Sequence, residues 1–270
     1  MGCHLDGFVA QAAHSIVVSA DPNSKVSGKK AETILAAYNA IRAAQRLIKE
    51  MGTNTSVTQT IAKVCETFGV NPVEGVLSHK MKKHLIDGND VILNKETPEQ
   101  KVEEFEFAPG DVIGLDIYVS SGEGKPKEGD YRTTVYKREL DTQYNLKIKS
   151  ARAFFSEVNK KYPTLPFAIR SFEDSTAAKI GVKECVNHDL LTPYPVLVEK
   201  SGEFVAQFKC TIAVLPKSTV ILAGDLPLST ERFETDKKVT DEELVNLLQS
   251  DLWKKEDKKK AAKKEEEKKQ

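Results

Sequence analysis

The run Glu203-Phe-Val-Ala-Gln-Phe-Lys-Cys-Thr-Ile-Ala-Val-Leu-Pro216 decides the fold of this chain. Its residues alternate in character. Phe204, Ala206, Phe208, Cys210 and Ile212 fall on one face, and Gln207, Lys209 and Thr211 share the other. A period of two over this length predicts a long strand with one face on a core. Ser201-Gly202, just before it, suits a two-residue turn joining this strand to another over 196–200.

Outward from that strand, residues 4–20 alternate and stop at the turn cluster Asp21-Pro-Asn-Ser24, so the Met1-Gly-Cys start reads as part of a core strand. Ile34, Tyr38, Ile41 and Ile48 predict an amphipathic helix over 29–50, ended by Gly52. Ser56-Val-Thr-Gln59 reads as the capping box of a second helix, with Val57, Ile61, Val64, Cys65 and Phe68 as its apolar stripe. Strands are expected near 73–79, 84–93, 111–120 and 131–138. Two successive helices bracketed by antiparallel strands predict an α+β fold. The texture changes over 140–196, where Ala151, Phe154, Phe155 and Val158 form one helical stripe and Ala178, Val182, Cys185 and Val186 another. The expected organisation is a core of residues 1–139 and 197–235, an insert of 140–196, and a C-terminal helix and Lys/Glu-rich tail over 236–270.

The chain has 270 residues, 40% of them apolar, enough for a sizeable core. Lys plus Arg (40) balance Asp plus Glu (40). No global field therefore draws nucleic acid, and any such contact must be local. Cys3, Cys65, Cys185 and Cys210 form no Cys-x-x-Cys pair and sit in apolar patterns, which predicts reduced thiols rather than disulfides or metal ligands. No apolar stretch reaches transmembrane length, Met1 is not followed by a signal peptide, and Asp6 stands where a myristoylation signal wants Ser or Thr. No membrane insertion is expected. Ser121-Gly-Glu-Gly-Lys-Pro lacks the spacing of a phosphate loop, and Glu123 would repel a phosphate, so it reads as a tight exposed loop.

Four segments carry a family resemblance. Glu203–Pro216 resembles the last core strand of the eukaryotic-type methionine aminopeptidases, which supplies a glutamate bridging two metal ions. Gly2-Cys-His-Leu-Asp-Gly-Phe-Val-Ala-Gln-Ala-Ala-His-Ser15 resembles their aspartate-bearing strand pair. Leu77-Ser-His-Lys-Met-Lys-Lys-His-Leu-Ile-Asp-Gly88 resembles their histidine segment, and Gly114-Leu-Asp-Ile-Tyr-Val-Ser-Ser-Gly-Glu-Gly124 the strand of the fourth ligand. By this resemblance Lys209 stands for the bridging glutamate, Gln11 for the second aspartate, Asp116 for a glutamate, and His79 matches the histidine. An ammonium has no lone pair and repels a cation. Two metals held close together need several converging donors. The resemblance therefore implies no bound metal, no cofactor and no catalytic residue, with Lys209 pointing into the former site toward Asp116.

Ser120-Ser-Gly-Glu-Gly-Lys125, Arg132-Thr-Thr-Val-Tyr-Lys-Arg138, Ser150-Ala-Arg-Ala-Phe-Phe-Ser-Glu-Val158 and Glu203–Lys209 resemble one branch closely: the proliferation-associated, Erb-receptor-binding proteins, inactive relatives of methionine aminopeptidase. That implies a pita-bread fold with a winged-helix-like insert. It implies ribosomal large-subunit or structured-RNA partners, with receptor tails and nuclear corepressors as further ones, and a place in cytoplasm, nucleus and nucleolus. It also implies that the first pseudo-symmetric half is incomplete here. The alternatives are a nuclear protein-interaction adaptor or transcriptional co-regulator, and an active metal-dependent aminopeptidase.

The basic clusters are the candidate RNA contacts: Lys147, Lys149, Arg152, Lys160 and Lys161 in the insert, Arg132, Lys137 and Arg138 on the 131–138 strand, and Lys254, Lys255, Lys258, Lys259, Lys260, Lys263 and Lys264 in the tail. A solvated helix face and a solubilising tail are the competing readings. From Lys254 onward the tail holds nine lysines against five acids, with no apolar stripe.

Overall fold

A computed structural model describes residues 1–21 and 23–255. In chain order the larger unit supplies β1 (Gly2–Leu5), β2 (Phe8–Gln11), β3 (Val26–Ser27), α1 (Gly28–Leu47), α2 (Asn54–Phe68), β4 (Asn71–Pro72), β5 (Leu77–Met81), β6 (Val91–Leu93) and β7 (Val112–Ser120). The smaller supplies β8 (Lys127–Glu128), β9 (Val135–Arg138), α3 (Lys149–Lys161), β10 (Phe167–Ala168), α4 (Ser175–Asn187), β11 (Leu191–Tyr194) and β12 (Leu197–Val198). The chain then returns to the larger unit as β13 (Val205–Leu215), β14 (Ser218–Ala223), β15 (Phe233–Glu234) and α5 (Glu242–Gln249).

The larger unit is built on a mixed-length antiparallel sheet of order β14-β13-β7-β5-β6, with β4 on the side of β7. One face packs against α1 and α2. Ala36, Ala37, Ala40, Ala43 and Ala44 of α1 are fully buried, and these small side chains let the helix lie close to Leu115, Ile117, Phe208, Cys210 and Ile212 of the central strands. The stripe Val57, Ile61, Val64, Cys65 and Phe68 buries α2 in the same core. Its N-cap is Thr53, whose hydroxyl accepts from the Ser56 amide (3.3 Å), so the capping box expected at Ser56 lies three residues inside the helix. Gly69, at φ 63°, ends it.

The structure redraws several expected boundaries. Residues 84–90 are turns, so the strand expected over 84–93 shrinks to β6. The stretch 4–20 yields only the β1–β2 hairpin; β1 is exposed along its length, because among the described residues β2 is the only strand it pairs with. Ser201-Gly202 does form a turn, with the Glu203 amide donating to the Lys200 carbonyl (3.1 Å), but no ladder follows it. Both edges of β13 are taken, by β7 and by β14 and Ala13, so residues 197–198 pair with β8 instead.

The smaller unit comprises Lys83–Ile86 and Pro126–Val198, so its main segment begins at Pro126 rather than 140. Residues 131–134 lie outside any strand, and β9 belongs here, because its partners are β10 and β11 in a three-stranded sheet. Helices α3 and α4 enclose a second core of Phe154, Val158, Phe167, Phe172, Val182 and Leu190. Gly181 makes their approach possible: a Cβ there would lie 2.4 Å from the Phe154 ring. Asp174 caps α4 by accepting from the Thr176 and Ala177 amides, both at 2.9 Å. No described helix is long and apolar enough to cross a membrane.

Candidate functional site

The antiparallel ladder between β7 and β13 sets the geometry. Its register places Lys209 directly opposite Asp116, Gln207 opposite Tyr118, and Thr211 opposite Gly114; on the other side of β7, His79 of β5 faces Gly114. Directly opposed residues project to the same face, so the sheet alone brings the three strands' polar side chains together.

The Lys209 ammonium donates to Asp116 Oδ2 at 2.7 Å, and the Gln207 amide donates to Asp116 Oδ1 at 2.8 Å. Asp116 is largely enclosed, its side chain 11% exposed, whereas Lys209 keeps 22%. Burial, and secondarily the Asp116 carboxylate, push the Tyr118 hydroxyl well above the usual tyrosine range, keeping it a neutral phenol. Gln11 arrives from β2. Its amide donates to the Thr211 hydroxyl at 2.8 Å, which in turn donates to the Gln11 carbonyl at 2.9 Å. Its side-chain oxygen lies over Gly114, 3.2 Å from where a Cβ would stand. The segment continues along β13: Ala13 exchanges backbone hydrogen bonds with Lys209 at 3.0 and 2.9 Å, and Ser15 bridges the Gln207 backbone. His79 Nδ1 lies 3.0 Å from the Gly88 carbonyl, an acceptor, so that nitrogen carries the donated proton. Gly224 permits a close crossing behind Lys209; a Cβ there would come within 2.5 Å of the Lys209 carbonyl.

Gln11, His79, Asp116 and Lys209 thus gather on one face of one sheet. They do not fit a pair of metal ions. Both oxygens of the carboxylate already accept hydrogen bonds, one from a cation standing where a metal would have to stand. Among the described residues no group of three or more His, Cys, Asp or Glu side chains could hold a metal. What the arrangement holds is a charge pair: a fixed positive charge balancing a fixed negative one, with Gln207 completing the shell. Gln207 escaped the sequence reading as a partner of Asp116, although its alternation with Lys209 placed it on the same face.

The basic candidates are not equivalent. Lys147, Lys149, Lys160 and Arg132 are exposed. Lys161 is engaged by Glu157 at 2.6 Å. Arg152 folds back, donating to the Leu146 and Lys147 carbonyls (3.0 and 2.7 Å), and so braces the start of α3. Lys137 is half-buried and engaged; Arg138 lies over the Phe155 ring and donates to the Pro163 carbonyl at 3.3 Å. Lys254 and Lys255 are not tail residues: Lys254 bridges Ser218, and the Lys255 amide donates to the Lys217 carbonyl at 2.8 Å. Lys258, Lys259, Lys260, Lys263 and Lys264 lie outside the described residues. Lys179 and Lys183, exposed on α4, were missed; their spacing of four, between positions of the Ala178–Val182–Val186 stripe, was the available signal.

Comparison with known proteins agrees with this architecture. The chain is 42% identical over 253 residues to proliferation-associated protein A of Dictyostelium discoideum (93% of this chain, 65% of that protein). It is 46% identical over 220 residues to ERBB-3 binding protein 1 of Arabidopsis thaliana (81% of this chain, 55% of that protein). It therefore spans between about half and two thirds of the length of these relatives. Methionine aminopeptidases match more distantly, that of Pyrococcus horikoshii at 26% identity over 224 residues. Among solved structures, a thermophilic Arx1 superposes with a TM-score of 0.83 at 29% identity, covering 92% of this chain and 72% of that one. No protein-family model matches. The fold is the pita-bread fold of the aminopeptidases, and the chain is similar over most of its length to the proliferation-associated and ERBB-3 binding proteins.

Proposed function

We propose that this chain is a non-enzymatic, RNA- and ribosome-associated regulator of growth, ribosome biogenesis or translation, built on an aminopeptidase scaffold that carries no peptidase chemistry. One observation carries the non-enzymatic part. The Lys209 ammonium occupies the carboxylate of Asp116 at 2.7 Å, and Gln207 takes the second oxygen. Metal-dependent hydrolysis needs those donors free to hold the ion that activates water. The other neighbours, His79 and Gln11, cannot replace them: one histidine nitrogen is committed to Gly88 and the other supplies a single lone pair, while Gln11 carries no charge to offset two cations.

The RNA- and ribosome-associated part rests on the likeness to these relatives and on the exposed lysines of the smaller unit. With formal net charge zero, contact must be made by local groups. A large-subunit partner and residence in cytoplasm, nucleus and nucleolus follow from the same reading. The ERBB-3 binding name of one relative supports a second reading, a protein-interaction adaptor using the same scaffold. Co-sedimentation with purified large ribosomal subunits, with and without nuclease, separates the two. Nuclease-sensitive, salt-sensitive association supports the first reading. Association that survives both, or none at all, overturns it.

A further inference from the structure

The smaller unit contains a hollow of about 280 Å³ between α4 and the 132–136 segment. Its floor is apolar: Tyr136, Ile169 and Val182 are all buried. Its rim carries Arg132, Lys179 and Lys183, and no carboxylate lines it. The nearest acid on α4, Glu184, is drawn to His188 at 3.4 Å. Spacing of four puts Lys179 and Lys183 one above the other on a helix face. Arg132 reaches the rim from a different segment, so the three cations converge instead of tracking along one helix. Two of the cations of α3 are instead engaged, Lys161 by Glu157 and Arg152 by backbone carbonyls.

We propose that this hollow is a phosphate-binding site for the backbone of a structured RNA, with Arg132, Lys179 and Lys183 as its ligands. The proposal rests on the RNA-associated reading above and gives it an address. Three donors of one sign around a concave surface neutralise a phosphate without a competing acceptor. Guanidinium supplies a planar fork and the two ammoniums supply point charges, a set suited to a tetrahedral anion and indifferent to base identity. Thr133 and Asn187 also line the hollow, and the Tyr136 hydroxyl donates to the Thr133 carbonyl at 3.1 Å.

The test uses the full chain and a labelled RNA hairpin, with affinity measured across a series of KCl concentrations. The variants are Arg132→Gln/Lys179→Gln/Lys183→Gln, the single Lys183→Gln, and Lys149→Gln/Lys160→Gln on α3. Melting curves accompany each variant, and the single change at an exposed helix position keeps the test valid if the triple variant misfolds. The expected result is a salt slope lower by about one per lost contact, about one for the single variant and up to about three for the triple, with affinity down about tenfold or more in the triple. Wild-type binding that the triple variant retains with an unchanged slope overturns the hollow. If the α3 variant loses binding in that case, the RNA reading stands with its interface elsewhere. A wild-type chain that binds no RNA overturns both. Inorganic phosphate that shifts the Lys179 and Lys183 resonances, without any RNA defect in the variants, marks a small-anion site and also overturns the proposal.

Discussion

Replacing Lys209 with methionine isolates the energetics of the Lys209–Asp116 pair. Lys209→Met keeps the side chain's length and apolar stem and removes its charge. Asp116 then keeps the Gln207 amide on one oxygen at 2.8 Å and loses the ammonium at 2.7 Å from the other. Breaking one partner out of a buried pair costs about 3–5 kcal/mol, because the remaining charge is left without compensation. Lys209 is 22% exposed and Asp116 11%, so some solvent reaches the site and the lower end, about 3 kcal/mol, is the better expectation. At roughly 2–4 °C per kcal/mol for a chain of this order of size, that is a fall of about 6–12 °C in Tm. Asp116→Leu should cost less, about 1–2 kcal/mol, since a stranded lysine can extend toward solvent where a short carboxylate cannot. Lys209→Met/Asp116→Leu leaves an apolar contact between opposed strand residues, and such replacements of ion pairs are often neutral. The double variant should therefore be more stable than Lys209→Met alone, with a coupling energy of about 4–5 kcal/mol in the double-mutant cycle. Urea denaturation of the four proteins measures it. Simple additivity of the two single changes would refute the pairing as the reason the lysine is tolerated.

Purified protein should contain no stoichiometric divalent metal by elemental analysis and should not release methionine from a Met-peptide in added Co, Mn or Zn; about two tightly held ions per chain with turnover would sink the non-enzymatic reading. Burial pushes the Cys65, Cys185 and Cys210 thiols up to about 12, leaving roughly one in ten thousand ionised at pH 8, so only exposed Cys3 should react quickly with a thiol reagent; two or more fast thiols would contradict this packing. The same shifts set an alkaline limit: the unfolded chain's thiols ionise from about pH 8.5 while the native ones stay protonated, so stability should fall between about pH 9 and 12 and hold below that range. Gly181→Ala forces a methyl to within 2.4 Å of Phe154; it should destabilise the smaller unit by about 1–3 kcal/mol, and an unchanged melt would show that α3 and α4 are free to part.

What could be read from the sequence was whatever depended on local periodicity. The alternation through Glu203–Pro216 places Ala206, Phe208, Cys210 and Ile212 in the core and Lys209 on the opposite face, and the structure has them there. The two stripes of α1 and α2 are likewise buried. What failed depended on partners distant in sequence. A turn at Ser201-Gly202 looks the same whether or not a ladder follows it, and only the occupied edges of β13 exclude residues 197–198. The strand around 135–138 carries no mark of which sheet it joins; β10 and β11, about 30 and 55 residues later, decide that, and move the unit boundary to 126. Basic residues were the least readable. Lysine and arginine look equally free in a sequence, yet Arg138, Arg152 and Lys161 are each engaged locally, while Lys179 and Lys183 stand at a rim that only the packing of α4 creates.

The charge pair lets a carboxylate stand in the sheet with its balancing charge built into the chain. Asp116 sits in the middle of β7 beside β13, its backbone N–H and C=O both engaged by the Ser78 hydroxyl (2.8 and 3.3 Å), where few solvent molecules reach. A carboxylate there requires a positive partner, because desolvation of an isolated ion costs several kcal/mol. In a metalloenzyme the metal ions supply that charge from solution. Here β13 supplies it covalently, from the residue directly opposite, so the balance of charge no longer depends on metal supply or on a water-filled site. A carboxylate placed at position 209 should not create a metal site by itself. Lys209→Glu would set two carboxylates against each other across the ladder, with Gln11 and His79 unable to supply the missing ligands. The expected outcome is a protein less stable than Lys209→Met, rescued neither by cobalt nor by manganese; a rise in Tm of that variant on adding either ion would show that the degenerate site still holds a metal.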